Sequence, residues 1–345
     1  MRIYREDFLR RLVTQVFTAC ETTPEDAQTL ADHLVRANLK GLDSHGVLRV
    51  PQYVGNIKEK EIVPGADIIT VKETATTALL DLNWNFGQIG ARTATEMAID
   101  KAMTQGLGSV ALHRTQHVGC LTLYTEAVAK AGLVGLAACS GASPSGHWVA
   151  PSGGREGRIG TNPISMGAPT SGRPILFDAA TSTVSEGKVR LTRDTGKKLP
   201  ETWLVDSDGR LTDDPKALYE TPGGAILPVG GALAYKGFGF AMIAQVLSTI
   251  LTGASVGQMG GESNNFWILA VDIEAFTTAE AFRKELDDYI SYAKSAALAE
   301  GFDRVIMPGE LDYATEVHRL AKGIPISEGV WSQIMSVTRE LGVVI

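Results

Sequence analysis

The chain has 345 residues, of which 44% are hydrophobic, and it carries a formal net charge of −7 at pH 7. This length exceeds what one hydrophobic core usually supports, so two or more lobes are expected. The net negative charge and the lack of a Lys/Arg-rich block argue against nucleic acid or an anionic membrane as a partner.

Two amphipathic helices are predicted at the start of the chain. The polar residues 4–7 begin the first helix and do not resemble a signal peptide, and no later apolar run is long enough to cross a bilayer. We therefore expect a cytoplasmic protein. Thr23 is the predicted N-cap of the second helix and Pro24 its first residue, and Gly41 ends it.

The stretch 41–53 contains three side chains that could take part in catalysis or substrate binding. A helix here would place His45, Arg49 and Tyr53 at i, i+4 and i+8, and therefore on one face. A proton-transfer group, a fixed cation and a phenol would then share one wall. Each of these residue types is more often structural when it occurs alone, and Pro51 could bend or shift the helix.

The middle of the chain predicts a sheet with no Rossmann turn. Residues 68–71 and 78–81 read as a strand pair, and a helix over 91–103 follows. Residues 106–111 match the pattern G-x-G-x-x-A, but they leave a helix and enter a strand, which is the reverse of the dinucleotide-binding turn. Backbone N–H groups would not converge at a helix start there, so phosphate would not bind in that way.

Polar side chains follow three predicted strands. His117 comes after the first, Ser140 ends the second and Asp178 ends the third. A polar side chain at the exit of a strand lies at an edge of the sheet, where a ligand can reach it. Three such strand ends suggest that these side chains share one edge. The structural alternatives are that Asp178 only caps the segment after its strand and that His117 is a satisfied buried imidazole.

The second half of the chain predicts a surface excursion followed by mostly helical structure. Residues 193–219 are rich in Asp, Lys and Gly. Residues 238–251 form a very apolar helix that we expect to be buried on most sides. Helices around 279–299, 314–321 and 327–341 complete the chain.

The cysteines predict neither a disulfide framework nor a metal site. Cys20, Cys120 and Cys139 are odd in number and widely scattered. His113, His117 and Cys120 have ligand-like spacing, but no second Cys/His cluster accompanies them.

Several short motifs carry a family resemblance through their order and spacing. They are Ser44-His45-Gly46, His117-Val118-Gly119, Gly160-Thr161-Asn162-Pro163, Asp178-Ala179-Ala180-Thr181-Ser182, Gly187-Lys188-Val189-Arg190, Tyr235-Lys236-Gly237-Phe238-Gly239, Asp272 with Phe276, and Pro308-Gly309-Glu310. Together they resemble the malate/L-lactate dehydrogenase family that does not use a Rossmann domain, which also includes ureidoglycolate dehydrogenase, 2,3-diketogulonate reductase and the cyclic ketimine reductases. The match covers nearly the whole chain. The chain departs from the family at Gln116 and Val118, where Asn and Phe are frequent, at Tyr235, where His is frequent, and in the loop 141–158 with His147 and Trp148. These positions lie near the expected substrate and cofactor surfaces.

The resemblance implies an α/β, non-Rossmann malate/L-lactate dehydrogenase-type fold in an intertwined homodimer. A central sheet domain over 73–275, with a surface excursion at 191–222, would bind NAD or NADP. The N-terminal part, 1–72, and the C-terminal part, 276–345, would pack together as a helical domain built from both termini.

Reduction of a 2-oxo acid needs a hydride, a proton for the oxygen and a cation for the carboxylate. We expect His45 to be the acid/base, with Asp178 orienting it or keeping it protonated. His117 is the rival, because family members have been assigned this role at either position. Arg49 would bind the substrate carboxylate through two N–H groups, and Lys236 would polarise the carbonyl or contact the cofactor ribose.

Further contacts follow from the resemblance. Ser44 and Tyr53 would add hydrogen bonds to the substrate. The positions expected to bind the cofactor are Ser140, Thr161, Asn162, Asp178, Ala179, Ala180, Tyr235, Lys236, Pro308, Gly309 and Glu310.

Three functions stay open. The leading one is an NAD(P)-dependent oxidoreductase that interconverts a small 2-hydroxy acid, such as malate or lactate, and its 2-oxo acid. A close rival is a cyclic ketimine reductase, in which the hydride goes to a C=N bond. A non-catalytic cofactor- or metabolite-binding protein is the third, but such a protein has no need of an acid/base group beside a carboxylate clamp.

Overall fold

The computed structural model describes residues 2–141, 143–230, 233–254 and 263–344. The helices are α1 (Glu6–Thr18), α2 (Pro24–Leu39), α3 (Val50–Lys58), α4 (Gly87–Gln105), α5 (Thr122–Lys130), α6 (Glu186–Asp194), α7 (Ala234–Gln245), α8 (Ala279–Lys294), α9 (Glu310–Lys322) and α10 (Glu328–Glu340). The strands are β1 (Arg2–Tyr4), β2 (Ile69–Glu73), β3 (Thr77–Asp81), β4 (Leu107–Thr115), β5 (Val134–Gly141), β6 (Ile164–Ala168), β7 (Ile175–Ala179), β8 (Leu204–Val205), β9 (Leu211–Thr212), β10 (Ala225–Ile226), β11 (Asn264–Val271) and β12 (Ile324–Ile326).

A seven-stranded sheet in the order β2-β3-β4-β11-β5-β6-β7 forms the centre of the molecule. Strand β11 comes late in the chain and lies between β4 and β5, antiparallel to both. Strands β5, β6 and β7 are also successively antiparallel. Consequently β4, β5 and β7 run in the same direction, and their carboxyl ends lie on the same side of the sheet.

The glycines of the G-x-G-x-x-A pattern have structural roles at a helix end. Gly106 ends α4 in the left-handed conformation at φ +82°. A Cβ at Gly108 would collide with the carbonyl oxygen of Ala98, so glycine lets α4 pack closely against β4. The pattern therefore marks a helix-to-strand junction, as its order in the sequence predicted.

The two ends of the chain share one hydrophobic core. Strand β1 pairs with β12 through the register Ile3↔Pro325. Buried residues of α1, α2 and α3 lie in the same apolar cluster as Ile324 and Ile334. Thr23 caps α2 by accepting the N–H of Asp26 at 3.2 Å, as predicted.

The surface excursion is more ordered than its polar sequence indicated. Strands β8, β9 and β10 form a small sheet in the order β10-β8-β9. They share an apolar cluster with α6 that includes Val189, Leu204, Leu218 and Ile226. This cluster packs beside the site described below.

The predicted burial of residues 238–251 is wrong. Helix α7 and the π-helical turn Val246–Ile250 that continues it expose a row of apolar side chains, with Phe240 56% and Ile243 53% exposed. An all-round apolar helix is expected inside a core, but one chain alone does not cover this face. Within the described ranges, no helix has the length and apolar character needed to span a bilayer.

Candidate active site

A cavity of about 390 Å³ lies between residues 43–49 and the carboxyl ends of β4, β5 and β7. This size is typical of small-molecule sites. The predicted site residues that line it are Ser44, His45, Arg49, His117, Ser140, Thr161, Asn162, Asp178, Ala179 and Ala180. The shared strand direction thus brings His117, Ser140 and Asp178 together, as the sequence predicted.

Residues 43–49 form two short turns and not a continuous helix. The 3₁₀ turns Asp43–His45 and Val47–Arg49 are separated by extended backbone at Gly46, and α3 begins only at Val50. Asn38 causes the break, because its Oδ1 accepts the N–H of Val47 at 2.8 Å and its amide lies where a Cβ of residue 46 would be. The predicted single helical face of His45, Arg49 and Tyr53 is therefore wrong.

Helix α9, the second-last helix of the chain, fixes this segment from the other side. Arg319 donates to both carboxylate oxygens of Asp43, at 2.6 and 2.9 Å. Asn38 Nδ2 also donates to Asp43, at 2.6 Å. Such a bidentate ion pair defines orientation as well as distance, so the turn that carries His45 has little freedom to move.

Two imidazoles stack at the wall of the cavity. The ring centroids of His45 and His117 lie 5.4 Å apart, with the planes inclined by 21°. Burial, reinforced by the charge of Arg49, lowers the pKa of His45 to about 4. Burial and the same guanidinium hold the pKa of His117 well below its usual value. Both rings are therefore neutral at pH 7.

A hydrogen bond on Nδ1 orients each ring. Ser44 Oγ lies 2.9 Å from Nδ1 of His45, and Tyr53 Oη lies 2.6 Å from Nδ1 of His117. Gln88 Nε2 donates to the same phenol oxygen at 2.6 Å. Tyr53 is only 1% exposed and supports His117 from behind, so it does not line the cavity.

Arg49 projects its guanidinium into the cavity wall with a fixed orientation. Its Nε donates to the carbonyl oxygen of Ser44 at 2.8 Å, and its Nη1 donates to Gln52 Oε1 at 2.6 Å. A guanidinium has five N–H donors, so these two bonds leave donors for a ligand.

Asp178 caps a helix. Its Oδ2 accepts the N–H of Thr122 at 2.7 Å at the start of α5, where a negative charge is favourable. Burial raises the pKa of Asp178 to about 6, although the bonds from the N–H groups of Thr122 and Leu121 act in the other direction. Among the described contacts, none joins Asp178 to His45, so the expected orientation of His45 by Asp178 is not seen.

Unpaired polar atoms mark the inner part of the cavity. Asn162 Nδ2 donates to the Ala241 carbonyl and to Gln245 Oε1, at 3.0 and 2.9 Å. Its Oδ1, and the hydroxyl of Ser263, are buried with no hydrogen-bond partner within the described parts of the chain. A buried acceptor and hydroxyl of this kind fit a ligand group such as a carboxamide, which both donates and accepts.

Five predicted cofactor residues lie elsewhere. Tyr235 and Lys236 are exposed at the start of α7. In the Pro308-Gly309-Glu310 turn, Pro308 accepts the N–H of Leu176 at 3.4 Å and Glu310 pairs with Lys294. None of the five lines this cavity in the described part of a single chain.

Sequence reasoning missed several lining residues. Gln52 stands three positions after Arg49, a helical spacing that could have indicated it. Glu186 comes from α6 and has no sequence signal that connects it to the site, whereas Trp148 belongs to the loop 141–158 that the resemblance predicts near the substrate and cofactor surfaces. Cys120 and Cys139 line the cavity as buried thiols whose pKa values are raised by burial.

The family model described as malate/L-lactate dehydrogenase matches residues 4–335. The chain belongs to the malate/L-lactate dehydrogenase family. The sequence resemblance and the expected α/β fold are thereby confirmed. Membership makes the chain an oxidoreductase, and dehydrogenases of this kind use a nicotinamide cofactor.

Relatives and solved structures agree with this assignment over nearly full length. The chain is 34% identical to the malate dehydrogenase of Pyrococcus abyssi, covering 98% of this chain and 94% of that protein. It is 33% identical to the L-sulfolactate dehydrogenase of Methanocaldococcus jannaschii, covering 96% and 95%. The malate dehydrogenase structure from Entamoeba histolytica superposes with a TM-score of 0.94 at 26% identity, covering 100% of this chain and 99% of that one.

A reductase structure is also similar. The Δ1-piperideine-2-carboxylate reductase of Pseudomonas syringae superposes with a TM-score of 0.83 at 27% identity, covering 98% of this chain and 100% of that one.

Proposed function

We propose that the protein interconverts a small 2-hydroxy acid and its 2-oxo acid by hydride transfer, with NAD or NADP as cofactor. The observation that carries this proposal is the stacked pair of neutral imidazoles, His45 and His117, beside the Arg49 guanidinium in one cavity. A proton acceptor, a hydrogen-bond donor and a carboxylate clamp are the groups that this reaction requires of the protein.

The inner part of the cavity suits the cofactor. Ser140, Thr161 and Asn162, with the backbone at Ala179 and Ala180, would hold it, and the unpaired Asn162 Oδ1 supports a carboxamide there. The chemistry that a bound nicotinamide supplies is hydride exchange with the C2 carbon of the substrate.

His45 moves the proton in this proposal. We assign its Nδ1–H as the donor to Ser44 Oγ, which leaves the Nε2 lone pair for the substrate hydroxyl. In the oxidation direction, the neutral ring accepts the hydroxyl proton as C2 loses its hydride. In reduction, the imidazolium returns this proton to the carbonyl oxygen.

Substrate binding prepares His45 for the reduction direction. Burial is the larger cause of the low pKa of His45, and the charge of Arg49 is the second. A substrate carboxylate bound to Arg49 would offset this charge and raise the pKa of the imidazole. The protonated form therefore becomes available when a 2-oxo acid is in place.

His117 positions the substrate oxygen. We assign the phenol of Tyr53 as the donor to its Nδ1, which puts the proton of the neutral ring on Nε2. An Nε2–H group can donate to the substrate oxygen without changing its own charge. Asp178 holds the start of α5 at the edge of the cavity and would contribute a negative charge near the cofactor.

A second copy of the chain would cover the exposed apolar face of α7. Phe240, Ile243 and Val246 lie on this face, and Lys236 begins the same helix outside its own cavity. A homodimer through this face would remove apolar surface from water. It would also place Lys236 and Tyr235 between the two copies, where contacts to a partner's site become feasible.

The test measures the loss of absorbance at the reduced-nicotinamide band when pure protein is mixed with each member of a panel of 2-oxo acids and cyclic ketimines. NADH and NADPH are tested separately. Consumption with 2-oxo acids supports the proposal and identifies the cofactor, whereas consumption only with ketimines assigns the reductase alternative. If nothing is consumed but a titration shows cofactor binding, the protein is a binder and the proposal fails.

A further inference from the structure

The described lining of the cavity carries more negative than positive charge. Arg49 is the permanent cation of the described lining, and Asp178 and Glu186 are its carboxylates. His45 and His117 are neutral at pH 7, as argued above from their burial. The residues outside the described ranges include no Lys or Arg. Lys236, which the proposed dimer would bring near a partner's site, is expected to contact the carbonyl or the cofactor ribose and not a second anionic group.

Arg49 has the geometry to bind one carboxylate. Its orientation is fixed by the bonds to the Ser44 carbonyl and to Gln52 Oε1. The side chain next to it along α3, Gln52, also lines the cavity and is an uncharged amide. A second anionic group of a substrate would thus meet an amide where a cation would be needed.

The carboxylates oppose a second negative charge. Glu186 begins α6 at the cavity, where it accepts the phenol of Tyr219 at 2.8 Å and pairs with Arg190 at 3.8 Å. Arg190 does not line the cavity, so the carboxylate is the charge that a substrate would meet. Asp178 is held at the start of α5 by the N–H of Thr122. Like charges in a poorly solvated cavity repel strongly, and a buried carboxylate without a partner is costly.

The rest of the wall suits an uncharged side chain. Leu42, Leu121 and Trp148 contribute apolar surface to the cavity. Cys120 is a buried thiol, and burial raises its pKa, so it stays protonated.

We propose that the substrate carries a single negative charge, its 2-hydroxy or 2-oxo carboxylate, and an uncharged side chain, with Gln52 and Glu186 setting this preference. The inference rests on the function proposed above. Malate and sulfolactate, the compounds after which the two relatives are named, carry two anionic groups. This chain would differ from those relatives in substrate charge while keeping the reaction.

A matched pair of substrates tests the inference. Racemic malate and its distal amide, malamate, have nearly the same shape and differ by one negative charge. We expect kcat/KM for malamate oxidation at pH 7.5 to exceed that for malate by about tenfold or more, because a site rejects groups that it leaves unpaired. Equal values, or a preference for malate, would overturn the inference.

Variants assign the preference to the two side chains. Gln52→Arg should raise kcat/KM for malate relative to malamate by about tenfold, whereas Gln52→Met, similar in length and uncharged, should not. Glu186→Gln keeps the acceptor for Tyr219 and should raise the malate value a few-fold. An unchanged malate-to-malamate ratio in both Gln52→Arg and Glu186→Gln would remove these residues from the proposal.

The outcomes separate this inference from the proposed function. Turnover of malate in preference to malamate leaves the 2-hydroxy acid reaction intact and defeats only the charge preference. Absence of turnover with these two compounds, with lactate and with 2-hydroxybutyrate defeats both. Cofactor binding by each variant, measured by nicotinamide fluorescence, shows that the variant is folded.

Discussion

Tyr53 holds the Nδ1 atom of His117 through a hydrogen bond of 2.6 Å from its buried phenol. Gln88 Nε2 donates to the same phenol oxygen at 2.6 Å, so the phenol is held from both sides. Burial also raises the pKa of Tyr53, which keeps the phenol protonated. The chain Gln88–Tyr53–His117 therefore fixes the orientation of the ring, and with the phenol assigned as donor it also fixes the tautomer.

Tyr53→Phe should remove the hydrogen bond that orients His117. We expect the free energy of unfolding to fall by about 1–3 kcal/mol, because two buried partners lose a hydrogen bond. We expect kcat to fall about tenfold or more as His117 loses its tautomer. Urea unfolding and steady-state kinetics measure the two effects.

Tyr124→Phe is the matched control for this variant. Tyr124 is a buried tyrosine whose hydroxyl donates only to the Val118 carbonyl, at 2.5 Å, in the described structure. Its loss should reduce stability with little effect on kcat. Equal kinetic losses in the two variants would show that Tyr53 acts only through packing.

His45→Gln and His117→Gln should have different kinetic effects. Removal of a general base typically lowers kcat by about 10²- to 10⁴-fold, and we expect this for His45→Gln with cofactor affinity nearly unchanged. His117→Gln keeps an N–H donor and should lose less. The acid limb of the pH–rate profile should disappear only in His45→Gln, and its disappearance only in His117→Gln would exchange the two roles.

Arg49→Gln should weaken substrate binding. Loss of a charge-assisted, bidentate partner predicts a KM about 10- to 100-fold higher for the 2-oxo acid. Arg49→Lys should restore only part of the affinity, since an ammonium cannot form the same paired contacts. An unaltered KM in Arg49→Gln would contradict the clamp. Arg92→Gln, a change at an exposed ion pair with Glu96, provides the control.

Stability should decrease on the acid side because of buried imidazoles. Burial lowers the pKa of His33 to about 3, from about 6.5 in the unfolded chain. The unfolded state thus binds more protons, and this contribution is complete above pH 6.5 and is lost as pH falls toward 3. At pH 5 the cost is about 2 kcal/mol.

The variant His33→Gln tests this pH effect. The difference in unfolding free energy between pH 7.5 and pH 5 should shrink by about 2 kcal/mol, measured by urea unfolding at fixed protein concentration. His318→Gln, which removes an exposed imidazole, should keep the wild-type difference. A difference that is the same in all three proteins would contradict the assignment to His33.

Charge on the α7 face should prevent dimer formation. Ile243→Asp places a carboxylate in the exposed apolar row of α7, and we expect light scattering to give the monomer mass where the wild-type protein gives the dimer mass. Met103→Asp, at an exposed position on α4, should leave the mass unchanged. A monomeric wild-type protein would refute the dimer through this face.

Short-range sequence signals, such as helix caps and strand ends, predicted much of the fold. Thr23 and Pro24 marked α2, and the order of helix and strand around Gly106 excluded a phosphate turn. The shared edge of His117, Ser140 and Asp178 followed from polar residues at strand ends. These signals depend on nearby residues, which a sequence displays directly.

Other features depend on residues that are distant in the sequence. The break at Gly46 arises from the Asn38 side chain, and the cap formed by Asp178 lies on α5, 56 residues away. Apolar composition predicted that α7 is covered but does not say whether its own chain covers it. Trp148 and Glu186 reach the cavity only through tertiary packing.

The ion pair between Asp43 and Arg319 joins residues 276 positions apart. During synthesis on the ribosome, the segment with His45 emerges early but cannot acquire its final shape until α9 has left the exit tunnel. The strands that form the cofactor side of the cavity are complete before that point, because β11 ends at Val271. A nascent chain would therefore form the sheet wall of the cavity first and the turn that carries His45 only after α9 has emerged.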